Sequence, residues 1–358
     1  MSHIKLNSLL IIAVIALAAI SCKKKEEDNT TLLYLKGTLN FELPEFILPG
    51  ETFKMTPSGL SHPDGEEIGY YWKVTPTMTK YDTTRFLNGL DKKGNPSDGS
   101  FTHKFSDTLQ IYTVYCYAYS EEYTNSSASK VTMVVSPGPE GSVSNTGINP
   151  EPDPYITVDE EHKFYYTTIG NLDWFRWNLG YTESGAPYVN SDAMDGVLGR
   201  YYSYDEAMTA CPEGWRLPTD KEWLEMLQTV DSSLTGVEPF NTIPGVASKL
   251  MADVRFNGEK AWEYWPAVGE ITNETKLSII PAGYANLGSK DAQGKYSRAK
   301  FTGYTKYAAF WTADLASEEE GTAFYRYLYC DQPDLLIGKG DRKFFGASVR
   351  CVRPTSNQ

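Results

Sequence analysis

The chain has 358 residues, with 46 Asp or Glu against 33 Lys or Arg, for a formal charge of -13. Binding a phosphate backbone needs clustered Lys and Arg, so this balance argues against a nucleic-acid partner. Only four histidines are present (His3, His62, His103 and His162), too few and too scattered for a zinc site or a Ser/His/Asp triad.

Residues 1–21 have the order of a secretory signal: a short start with Lys5, an apolar run from Leu9 to Ile20, then the small Ser21. The run is cut off by Ser21 and by Lys23, Lys24 and Lys25, which leaves it too short for a stable span. Ala19-Ile20-Ser21-Cys22 resembles a bacterial lipobox, which implies that Cys22 is acylated and that the membrane partner is reached through this anchor. Residues 22–36 form a charged tether that cannot collapse, and its Lys-then-acid order resembles the export tags of Bacteroidetes surface lipoproteins. The expected location is the outer membrane, on its surface or its periplasmic face.

More than 330 residues follow the leader, above the size at which one core splits, so two domains are expected. In residues 37–136, short β-branched and aromatic runs are separated by turn residues: Gly37–Phe41, Thr52–Met55, Tyr70–Val74, Phe101–Phe105, Ile111–Tyr119 and Lys130–Val135. These predict an all-β sandwich with Trp72 as a core tryptophan. Ile111-Tyr112-Thr113-Val114-Tyr115-Cys116 resembles the penultimate strand of PKD-like, immunoglobulin-like domains, although their tryptophan and glycine-aspartate signature is missing. Cys116 has no partner in the early strands and reads as a buried free thiol. Asp82-Thr83-Thr84 and Asp107-Thr108-Leu109 resemble O-glycosylation acceptors of exported Bacteroidetes proteins, which would modify Thr83 and Thr108. Residues 137–154, rich in Pro and Gly, read as a semi-extended linker.

The second region, 155–355, carries two capping boxes. Ser203-Tyr204-Asp205-Glu206 and Thr219-Asp220-Lys221-Glu222 each predict a helix start, the second followed by the apolar stripe Trp223, Leu224, Met226, Leu227 and Val230. Asp173-Trp174-Phe175-Arg176-Trp177-Asn178-Leu179, Gly199-Arg200-Tyr201-Tyr202 and Cys211-Pro212-x-Gly214-Trp215-Arg216-Leu217-Pro218 follow in order, and then Phe310-Trp311-Thr312-Ala313 and Ser348-Val349-Arg350-Cys351-Val352-Arg353. This series resembles the Fibrobacter succinogenes major paralogous domain. The resemblance implies an α+β, C-type-lectin-like fold, shared with formylglycine-generating enzymes and with ligand-binding variable proteins. Once Cys22 is acylated, four cysteines allow three pairings. The resemblance implies one of them, Cys211 with Cys351.

Formylglycine-generating relatives use a reactive cysteine pair, for which Cys330 and Cys351 are the candidates here; a Cys211–Cys351 bond removes it. The Gln332-Pro333-Asp334 triplet matches one that holds calcium and galactose in some C-type lectins, but it follows the Tyr325–Cys330 strand and lacks a Trp-Asn-Asp partner. No cofactor is called for, calcium at Gln332 and Asp334 being the one candidate. The acidic pairs, such as Glu222 with Glu225, read as solvated flanks. His162 sits in a charged run and reads as solvated. Tyr325, Tyr327 and Tyr329 alternate along a strand and define one face. With Tyr284, Asn286 and Trp311 they form the candidate ligand surface, suited to sugar rings or a protein partner. The reading is a non-enzymatic, anchored adhesion protein that displays a lectin-like module for a glycan or protein ligand. The alternatives are an oxidase or hydrolase on the same fold, or a structural part of a surface complex.

Overall fold

A computed structural model describes residues 33–76, 84–88, 98–106, 110–120, 123–124, 126–135, 154–157, 162–256, 259–263 and 268–355. Cys22, Thr83, Thr108 and nearly all of the 137–154 stretch lie outside them. Strands dominate and helices are few.

The first half is built on a five-stranded sheet in the order Phe46–Ile47, Ser126–Val134, Gln110–Tyr119, Gly69–Pro76, Thr84–Asn88. Its pairings are antiparallel except that of Phe46–Ile47, which runs parallel to Met133 and Val134. Two ribbons accompany it, Lys36–Asn40 with Ser58–Ser61 and Thr52–Met55 with Phe101–Lys104. The alternation in Gln110–Tyr119 buries Tyr112, Val114, Cys116 and Ala118 on one face, as a period of two requires. Residues from all three sheets meet in one apolar cluster around Trp72, whose indole N–H donates to the Gly99 carbonyl at 2.9 Å. Trp72 and the free thiol of Cys116 are thus core residues, as the sequence predicts.

In the second half, Tyr155–Thr157, Lys163–Ile169, Leu172–Phe175 and Val352–Pro354 make an antiparallel sheet that pairs the last strand with Leu172–Phe175, near the start of this half. Both predicted capping boxes form. Ser203 caps Tyr204–Ala210 and Thr219 caps Asp220–Val230, with Glu206 and Glu222 closing the boxes from the third position. The longer helix buries Trp223, Leu224, Met226 and Leu227 against an antiparallel sheet of Tyr307–Ser317, Thr322–Tyr329 and Leu336–Asp341, where it meets Phe310 and Leu328. Strand Tyr284–Asn286 pairs with Lys300–Thr302 and with Phe345–Gly346. Cys211 and Cys351 are bonded, with Cα atoms 5.8 Å apart.

Among the described residues, strands up to Val134 pair only with one another, and so do those from Tyr155 onward. The two regions nevertheless touch. Phe46, Met133 and Val135 pack in one cluster with Tyr188, Val189, Ala193 and Met194, and the buried Ser191 hydroxyl donates to the Phe46 carbonyl at 3.0 Å. The 137–154 stretch, read from the sequence as a semi-extended linker, lies almost wholly outside the described residues, and the regions on either side of it pack directly on one another.

Candidate functional site

The central strand Thr322–Tyr329 sorts its side chains onto two faces. Arg326 and Leu328 point to the helix and are fully buried, whereas Tyr325, Tyr327 and Tyr329 lie half-buried on the opposite face. Tyr307 of the neighbouring strand stacks on Tyr327 with centroids 4.9 Å apart and planes 12° apart. Tyr284 and Phe345 arrive from the adjoining sheet: Tyr284 lies 5.2 Å from Tyr307, and Phe345 lies 4.5 Å from Tyr325. Asn286 follows two residues after Tyr284, exposed and without a side-chain hydrogen bond among the described residues.

Two glycines make room for these rings. A Cβ on Gly338 would lie 2.5 Å from Cζ of Tyr325, so that ring lies directly across the glycine backbone. At Gly340 a Cβ would meet Phe345 at 2.6 Å and Trp311 at 2.8 Å. Tyr307, Tyr325, Tyr327 and Tyr284 each therefore have at least one face covered, and hydroxyls such as those of Tyr307 and Tyr325, 3.5 Å apart, crowd together. Burial pushes the Tyr307 hydroxyl far above the usual phenol range, so it remains a neutral donor.

Trp311 requires a correction. It is fully buried, and its indole N–H donates to the Tyr202 carbonyl at 2.7 Å, so it supports Tyr325 and Phe345 from below and cannot touch a ligand. Asp334 and Gln332 lie in the turn that follows the tyrosine strand, where the Gln332 N–H donates to the Tyr329 carbonyl at 3.1 Å. Asp334 accepts the Gly245 N–H at 2.9 Å and Pro333 accepts that of Ala247, so this turn ties the sheet to the segment before Ala247–Leu250. Gln332 is exposed and donates to Asp331. Among the described residues no three His, Cys, Asp or Glu side chains gather around a common point.

The thiols are in unreactive settings. Cys351 is bonded to Cys211, and burial with the nearby Asp331 raises the Cys330 thiol, opposite to what an activated nucleophile needs. His162 is half-buried rather than solvated, stacking on Tyr181 at 3.6 Å.

The features that position this face are those of the ordered motifs. Arg350 carries its guanidinium into the core, donating to Asn178 and to the carbonyls of Phe175 and Leu277. It thereby joins the first motif to the last. The family described as the Fibrobacter succinogenes major domain matches residues 167–353, just over half of the chain. The chain belongs to this family. Residues that hold the Fibrobacter succinogenes major domain together, including Asn178, Arg350 and the disulfide, all lie within the match. No curated protein matches. Among solved structures, superoxide reductase (neelaredoxin) from Ignicoccus hospitalis and its T24K form are similar at 15% and 16% identity, each over 27% of this chain and 80% of theirs. Both have a TM-score of 0.22, too small to bear on fold or chemistry.

Sequence reasoning also missed a cleft of about 530 Å³ between the loop 182–192 and the loop 291–297. Apart from Arg200, which belongs to the Gly199–Tyr202 motif, its residues come from distant segments outside the quoted motifs, so no local pattern announced the cleft.

Proposed function

We propose that this chain is an outer-membrane lipoprotein, anchored through Cys22, which displays its Fibrobacter succinogenes major domain to bind a glycan or protein ligand. A PKD-like β-sandwich would precede a C-type-lectin-like module, with residues 22–36 as the tether. The observation that carries the reading is the half-buried tyrosine face of Tyr284, Tyr307, Tyr325, Tyr327 and Tyr329. Tyrosines of this kind offer apolar area with a polar tip at small entropic cost, which suits both sugar rings and protein hot spots. The buried, raised thiol of Cys330 and the bonded Cys351 favour binding over oxidation chemistry. Calcium at Gln332 and Asp334 would be an accessory to this role.

The test is a glycan-array and cell-surface pull-down screen with the chain from Lys23 onward, with and without calcium. Saturable binding that Tyr327→Ala weakens by about thirtyfold, the loss of one hot-spot ring, is the expected result. Binding indifferent to Tyr327→Ala would show that the ligand contacts another surface.

A further inference from the structure

The cleft between loops 182–192 and 291–297 is independent of the tyrosine face. Its volume of about 530 Å³ lies in the range of small-ligand sites, and its lining is of mixed sign. Arg200 is fixed there. Its Nε donates to both oxygens of Asp195 at 2.9 and 2.8 Å, and its Nη2 donates to Asp192 at 2.9 Å. Nη1 has no partner. Glu183 and Lys295 make no side-chain hydrogen bond or ion pair among the described residues, and the Asn190 amide donates only a long contact to the Ser297 carbonyl. Asp291, by contrast, is closed on its own loop by the N–H groups of Gln293 and Lys295.

Exposed polar and charged side chains of both signs thus line one space. An anionic ligand would confront Glu183 and Asp192; a cationic one would confront Arg200 and Lys295. A neutral ligand with several hydroxyls meets neither penalty, because each hydroxyl donates to a carboxylate while accepting from a guanidinium or ammonium.

The wall of the cleft is held under strain. Val189 has φ 47° and Asn190 φ 60°, left-handed conformations that cost a β-branched residue most. That loop is clamped from behind by the first half of the chain, through the Ser191 hydroxyl on the Phe46 carbonyl and through Val189 in the cluster with Phe46 and Met133. Pro187, Asn190 and Asp192 of the same loop line the cleft.

We propose that this cleft is a binding site for a neutral sugar, shaped by docking of the amino-terminal sandwich on the loop Tyr188–Met194. The experiment is saturation-transfer NMR on the chain from Lys23 onward with maltose, cellobiose and lactose, and with glucuronate and glucosamine as charged counterparts. At least one neutral disaccharide should bind, more tightly than either charged sugar. Glu183→Ala and Lys295→Ala, both at the cleft rim, should each weaken it about tenfold, the loss of one charged hydrogen bond. Ser191→Ala, outside the cleft, should weaken it as well, and Tyr327→Ala should leave it unchanged. Absence of transfer from all three disaccharides, preference for a charged sugar, or binding unaffected by Glu183→Ala and Lys295→Ala overturns the site. Full binding by a folded Ser191→Ala chain overturns the role of the clamp.

Discussion

Asp195 is 5% exposed beside Arg200, and burial raises its carboxyl to about 6 although the guanidinium lies within 2.9 Å. Loss of water outweighs the ion pair here. The folded chain therefore holds the proton more tightly than the unfolded one, whose carboxyl titrates near 3.8. Stability from this group is complete below about pH 4 and is lost as the pH climbs through about 6, on the order of 3 kcal/mol. Thermal midpoints measured across that window should decline with pH in the native chain and decline less in Asp195→Asn; parallel curves would contradict the assignment. Gly338 gives a second prediction of this kind. Gly338→Val drives a branched side chain into the Tyr325 ring and should abolish binding at the tyrosine face while shifting stability by only about 1–3 kcal/mol. Unaltered binding in a folded Gly338→Val chain would show that the ring's position is immaterial.

Between elements, Arg326 and Asp220, both fully buried, form an ion pair. Arg326 donates to Asp220 through Nε at 2.6 Å and Nη2 at 2.8 Å and to the Asn241 carbonyl through Nη1, while Asp220 also accepts the Phe240 N–H. One pair therefore fixes the start of the helix Asp220–Val230, the strand Thr322–Tyr329 and the loop before Ile243. Arg326→Met leaves Asp220 buried and without its cation, and chemical denaturation should register a loss of about 3–5 kcal/mol. A change under about 1 kcal/mol would mean that water or rearrangement replaces the arginine. The disulfide closes a separation of 140 residues between the end of the first capped helix and the last strand. Reduction should cost up to about 5 kcal/mol on the chain-entropy view, read as the difference in denaturation midpoints with and without reductant. Both capped helices were legible in the sequence because a capping box is a local device with a fixed spacing. The strands Phe46–Ile47 and Ser58–Ser61 were not, since two to four residues hold too little pattern to distinguish from loop.

At the scale of the molecule, the family and the order of its motifs were readable, because the motifs are runs of contiguous residues. The alternation of Tyr325, Tyr327 and Tyr329 likewise announced a face. It could not reveal that Trp311 is buried, since the same alternation assigns residues to faces without saying which neighbours cover them. Nor could it reveal the contact of Phe46 and Val135 with the loop around Ser191, where residues some 145 positions apart meet. The tyrosine face is proposed as the contact surface. Hydroxyl-radical footprinting of the chain from Lys23 onward, with and without a glycan or cell-surface extract that it retains, tests this most directly. Protection is expected at Tyr325, Tyr327 and Tyr329, with the fully buried Tyr201 and Tyr202 unchanged. Protection confined to other surfaces, with those three tyrosines as reactive as in the free chain, would contradict it.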